Sequence, residues 1–73
     1  MFTPSEHHYD AFRWATKRYI RIYPKLVRST GNYNIIKEVN GRKVFQSKDE
    51  YPPSEYSEII WKFYSHLYDE SKN

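Results

Sequence analysis

The dipeptide Asn40-Gly41 is the feature that most constrains the fold of this 73-residue chain. It separates two runs rich in β-branched and aromatic residues, at 33–39 and 42–48. A two-residue type I′ turn needs positive φ angles at both central residues, and Asn and Gly are the residues that best tolerate them. The sequence therefore predicts an antiparallel β-hairpin across these two runs.

The turn also predicts which residues face each other across the hairpin. With a two-residue loop, Glu38 faces Lys43 as a pair of opposite charges, and Ile36 faces Phe45 as an apolar pair. Both pairs are of the kind that stabilise neighbouring strands, which supports this register.

A helix is predicted before the hairpin, over residues 4–22. Thr3 is the expected N-cap, with Pro4 at the first helical position and Glu6 completing a capping box. Apolar residues then recur at helical spacing. Pro24 disfavours helical geometry in the residue before it, so the helix should end near 22–23.

The sequence leaves open a third strand from Tyr19 to Lys25, if the first helix ends early. The chain would then read α-β-β-β-α, an order that resembles double-stranded-RNA-binding domains. The resemblance is topological only, because the Lys-Lys-x-Ala-Lys signature of those domains is absent.

A second helix is predicted over residues 53–69, with Pro53 at its first position and Glu55 at its third. Residues 70–73 are polar and are predicted to fray. The whole chain, 1–73, is thus expected to be one α+β domain in the order helix, hairpin, helix.

The aromatic content is high for so short a chain. Fourteen aromatic residues outnumber the twelve Ile, Leu, Val and Met residues. A domain of this size buries only about 60% of its unfolded surface, so some rings are expected at the surface. Two sets are candidates for binding surfaces, with burial in the core as the alternative for each: Trp14 on the first helix, and the row Trp61, Tyr64 and Tyr68 on the second.

The positive charge is concentrated in the middle of the sequence. Residues 17–43 hold eight Lys and Arg residues against the single acid Glu38, whereas residues 44–73 hold three against six acids. This layout predicts an anionic partner, either nucleic acid or an acidic protein surface. The alternative is that the segments neutralise each other in the fold. The partner-binding residues expected from helix 1 and the hairpin are Trp14, Lys17, Arg18, Arg21, Lys37, Arg42 and Lys43.

No catalytic, cofactor or metal site is predicted. The chain has no Cys and only two Gly residues, so thiolate chemistry and a phosphate-cradling glycine loop are excluded. His7 and His8 are adjacent on a helix and point about 100° apart, which does not suit a shared metal. No run reaches the roughly 18 apolar residues of a membrane span, and no signal peptide is visible, so a cytoplasmic protein is expected.

In size, absence of Cys and basic-aromatic character, the chain resembles small phage-encoded proteins that bind host RNA polymerase. The resemblance assigns no residue, but it implies a non-enzymatic regulator or inhibitor of transcription in the host cytoplasm. A direct DNA- or RNA-binding protein is the alternative, and a small ribonuclease toxin is a third hypothesis. The sequence leaves the oligomeric state open.

Overall fold

The computed structural model describes residues 2–72 and confirms a small α+β domain. A three-stranded antiparallel sheet, in the order β1-β2-β3, lies between two helices in the sequence. The third strand that the sequence left open is present. The elements are α1 (Glu6–Lys17), β1 (Ile20–Val27), β2 (Asn32–Val39), β3 (Arg42–Gln46) and α2 (Tyr56–Ser71).

Helix α1 ends at Lys17, so the prediction of a helix over 4–22 is wrong at its C-terminal end. The backbone N–H groups of Arg18 and Tyr19 close the last turn, and Tyr19 then takes a left-handed conformation with φ of 59°. The following eight residues pair along their whole length with β2. Ile20 fits the helical spacing of the apolar stripe, but Ile20 and Ile22 also fit the alternation of a strand, and the long-range pairing decides between helix and strand.

The start of α1 also differs from the prediction. Ser5, not Thr3, is the N-cap, and its side chain accepts from the N3 backbone. The side chain of His8 completes the capping box, because its Nδ1 atom accepts a hydrogen bond of 2.9 Å from the Ser5 backbone N–H. A histidine thus does here what Glu or Gln usually does.

The hairpin between β2 and β3 is confirmed, with φ of 54° at Asn40 and 80° at Gly41. Glu38 faces Lys43 as predicted. The predicted pairing of Ile36 with Phe45 is wrong, because the register shifts next to Glu38 and places Phe45 opposite Lys37. Such a bulge adds one residue to a strand and moves every later side chain along by one position.

Helix α2 begins at Tyr56 and not at the predicted residue 53. The residues before it form a turn in which the Pro52 carbonyl accepts from the backbone N–H groups of Glu55 and Tyr56. The helix continues to Ser71, two residues beyond the predicted end at 69. Asn73 lies outside the described residues.

The core lies between the helices and one face of the sheet. Ala11 and Ala15 are fully buried on α1, and their small side chains permit close helix packing. Ile22 and Ile35 come from the same face of the sheet, and Tyr64 comes from α2. These five residues form one buried cluster, and a ring of half-buried aromatic and aliphatic side chains surrounds it.

The outer edge of β1 is closed by Tyr64 and Pro24. The Tyr64 hydroxyl accepts a 2.8 Å hydrogen bond from the Ile22 backbone N–H and donates to the Ile22 carbonyl at 3.4 Å. Pro24, two residues further along the same edge, has no N–H to offer. This edge is therefore poorly suited to pairing with another strand.

Candidate functional site

A backbone hydrogen bond joins the end of α1 to the tip of the hairpin. The Asn40 N–H donates to the Tyr19 carbonyl at 3.0 Å, and both residues have positive φ. Two segments that are about 20 residues apart in the sequence are thereby held together. We call this part of the molecule the basic end, defined by its five cationic residues: Lys17, Arg18, Arg21, Arg42 and Lys43.

The strand register places three of these cations at the same end of the sheet, on the two strands that flank β2. Arg21, Glu38 and Lys43 form one cross-strand row, and Arg42 ends the adjacent row. Neighbouring strands are about 4.8 Å apart, so the Arg21 and Lys43 backbones are separated by about 10 Å. Lys17 and Arg18 are exposed at the end of α1, immediately before this sheet.

Glu38 is the only acid in these cross-strand rows, and it neutralises part of the charge. One carboxylate oxygen lies 3.7 Å from Arg21, and the other accepts a 2.7 Å hydrogen bond from the Tyr23 hydroxyl. That hydrogen bond is the main reason why the pKa of Tyr23 is raised. The Arg21 guanidinium also lies 5.3 Å from the centre of the Tyr23 ring. With five cations against one acid, the basic end keeps a net positive charge.

An exposed aromatic ring lies within the basic end. Tyr19 has 72% of its surface exposed, the highest value among the large hydrophobic residues described. It borders an open cleft of about 650 Å³ that also touches Arg21 and Gly41. A ring in water between cations offers a stacking surface beside groups that bind anions.

Trp14 is not part of this exposed surface. It is half-buried and packs against the core, with its ring 5.8 Å from that of Tyr68. The Arg18 guanidinium covers it at 4.7 Å from the ring centre and donates to the Trp14 carbonyl at 3.2 Å. The predicted grouping of Trp14 with Arg21 on one helix face is wrong, since Arg21 belongs to β1.

The three residues of the predicted aromatic row on α2, Trp61, Tyr64 and Tyr68, differ in how deeply they are buried. Tyr64 is only 5% exposed and belongs to the core, so the prediction that it joins a surface row is wrong. Trp61 and Tyr68 are half-buried. The Trp61 ring centre lies 5.3 Å from that of Tyr9 and 5.9 Å from that of Phe12. Much of the aromatic surplus is therefore used in contacts between the two helices.

Lys37 lies apart from the basic end. It is half-buried and occupies the cross-strand row between Ile22 and Phe45, not the hairpin tip. There it lines a second cleft, between β3 and α2. Sequence reasoning missed this cleft, because the bulge that turns Phe45 toward it leaves no mark in the hydrophobic pattern. It also missed Tyr19, which was assigned to the buried stripe of a longer helix.

The described residues contain no group of three or more potential metal ligands. His7 lies 3.0 Å from Asp69, and His66 contacts Glu70, so each of these histidines has a carboxylate neighbour on α2. Between residues 2 and 72, neither helix is long and apolar enough to cross a membrane. No protein-family model matches the chain, and neither a curated protein nor a solved structure shows significant similarity to it.

Proposed function

We propose that this protein is a non-enzymatic nucleic-acid-binding protein that contacts phosphates through its basic end. The observation that carries the proposal is the hydrogen bond between Asn40 and Tyr19, which holds the end of α1 beside the hairpin tip, so that the cations of α1, β1 and β3 lie at one end of the molecule. Cations on neighbouring elements can follow a phosphate backbone, and the exposed Tyr19 ring can stack on a base.

The arrangement of rings favours nucleic acid over an acidic protein at this surface. Protein interfaces depend on a few large side chains that insert into a pocket of the partner. Trp14 was the expected anchor of that kind, but Arg18 and Tyr68 already cover it. The large hydrophobic side chains exposed at the cleft of the basic end are Tyr19 and Phe12, and Tyr19 is the one that follows directly on Lys17 and Arg18.

A salt titration with charge variants tests the proposal. Binding to a fluorescent 20-base-pair duplex and to a single strand of the same sequence should weaken with salt. If all five cations contact phosphate, the slope of log K against log salt should reach about −4.5 for the duplex and about −3.5 for the single strand. The double variant R42Q/K43Q should lose at least ten-fold in affinity at low salt and about two units of slope.

The matched control is K48Q/K62Q, which removes the same charge elsewhere. Lys48 follows β3 at the opposite end of the sheet, and Lys62 pairs with Glu58 on α2. This variant should bind within about two-fold of the wild type. Equal losses in both variants would mean that only overall charge matters, and absence of binding to either probe at 50 mM salt would refute the proposal.

Docking on a larger protein machine, with RNA polymerase as the partner implied by the phage-protein resemblance, is the second candidate. The apolar cleft beside β3 is the observation that favours it. Capture of polymerase from a host lysate should then survive nuclease treatment, whereas an association through nucleic acid should be lost.

A further inference from the structure

The cleft between β3 and α2 is a second surface, distinct from the basic end. It has a volume of about 410 Å³, within the usual range for ligand pockets. Its walls are mainly apolar and come from the sheet and from α2, with two titratable side chains among them: Ile22, Ile35, Lys37, Val44, Phe45, Phe63, His66 and Leu67.

The cleft exists because β3 extends beyond the helical layer. Helix α2 packs on β1 and β2, and the backbone of β3 approaches only that of β2. Val44 and Phe45 are therefore 56% and 46% exposed, and one ring of α2, that of Phe63, lies 6.0 Å from Phe45. The outer edge of β3 has no strand partner among the described residues.

The two edges of the sheet differ in a way that points to strand addition at β3. The β1 edge is closed by the Tyr64 hydroxyl and by Pro24. The β3 edge keeps free backbone groups directly above an apolar cleft. An added strand would gain main-chain hydrogen bonds from the edge and would place alternate side chains in the cleft.

The positive charge in the cleft indicates that the added strand is acidic. Lys37 lies within the cleft and has no carboxylate partner among the described residues, whereas Arg42 and Lys43 at the start of β3 belong to the basic end. Glu70 contacts the lining residue His66, and no salt bridge joins a carboxylate to Lys37 among the described residues. A second copy of this chain, with net charge +3, would bring the same cations to the same edge.

We propose that the β3 edge and its cleft bind an extended acidic peptide segment of another protein, with apolar side chains at alternate positions. The segment adds a fourth strand to the sheet beside β3. Its apolar side chains contact Phe45, Phe63 and Leu67, and a carboxylate pairs with Lys37. This surface does not depend on nucleic-acid binding at the basic end.

Selection from a displayed library of random seven-residue peptides tests the proposal. The wild type should enrich peptides with apolar residues at alternate positions and with Asp or Glu. K37E should enrich Lys- and Arg-containing peptides in their place. The affinity for a synthetic copy of the most enriched peptide should fall at least ten-fold in V44D and stay within two-fold in L26D, which places the same charge on an exposed residue of β1.

Three results would overturn the proposal. The library could yield no enriched motif, the K37E selection could match that of the wild type, or the free protein could be a dimer that V44D dissociates, which would identify a second copy as the occupant. Duplex binding measured on V44N, which changes the cleft wall without adding a charge beside Lys43, separates the two surfaces, because it should remain within two-fold of the wild type whether or not peptide binding is lost.

Discussion

Replacing Tyr64 with phenylalanine tests how much the hydrogen bond between Tyr64 on α2 and Ile22 on β1 stabilises the fold. The tyrosine hydroxyl accepts from the Ile22 N–H at 2.8 Å, and both residues are buried. Y64F keeps the ring but leaves that N–H without a partner. An unsatisfied buried donor costs about 1–3 kcal/mol, and each kcal/mol lowers Tm by about 4–8 °C in a domain of this size.

Urea unfolding followed by circular dichroism gives the free energy directly, and the m-value should not change. The control is Y68F, because Tyr68 is half-buried and its hydroxyl makes no hydrogen bond among the described residues. It should stay within about 0.5 kcal/mol of the wild type. A Y64F protein as stable as Y68F would refute the idea that this hydrogen bond secures the sheet edge.

The difference in unfolding free energy between the wild type and Y64F should depend on pH. Burial raises the pKa of Tyr64 above 10.0, so the unfolded chain loses this proton first. The stabilisation is complete below pH 10 and is lost as the pH rises through the folded-state pKa. The stability difference between wild type and Y64F should therefore narrow above pH 10, and a constant difference up to pH 11.5 would contradict the assigned cause.

Three further substitutions test other parts of the account. E38Q removes the only acid of the basic end while keeping an acceptor for the Tyr23 hydroxyl, so duplex affinity should rise several-fold at low salt in a fluorescence titration. G41A forces a side chain into a φ of 80° and should cost about 1 kcal/mol in urea unfolding, and unchanged stability would contradict the assigned turn geometry. W14A should lower the free energy of unfolding, measured with urea, by less than the roughly 3–5 kcal/mol that a fully buried ring contributes. Unchanged stability would contradict the packing of Trp14 against Tyr68.

Local chemistry made the hairpin and both helices predictable from the sequence. Asn40-Gly41 specifies its own turn, and helix-start residues and apolar spacing locate α1 and α2 within a few residues. The end of α1 was not predictable in this way, because the run from Tyr19 to Tyr23 is compatible with helix or strand. Its pairing with β2, a non-local interaction, decides the outcome.

In the candidate site, too, local features were predictable from the sequence, whereas features that depend on non-local contacts were not. The cations of the basic end are visible in the sequence as a basic segment, but their convergence depends on the Asn40–Tyr19 hydrogen bond, which has no sequence signature. The burial of Tyr64 follows from its long-range bond to Ile22. The cleft at Lys37 depends on a bulge, and a one-residue register shift cannot be read from alternation alone.

The central claim is that nucleic acid binds where α1 meets the hairpin tip. Two-dimensional ¹⁵N–¹H NMR spectra recorded during titration with a short duplex locate the contact residue by residue. The largest amide shifts should fall on 17–21 and 40–43, with small shifts on α2. Shifts concentrated on residues 44–46 of β3 and on α2, or spread evenly over the chain, would contradict this location.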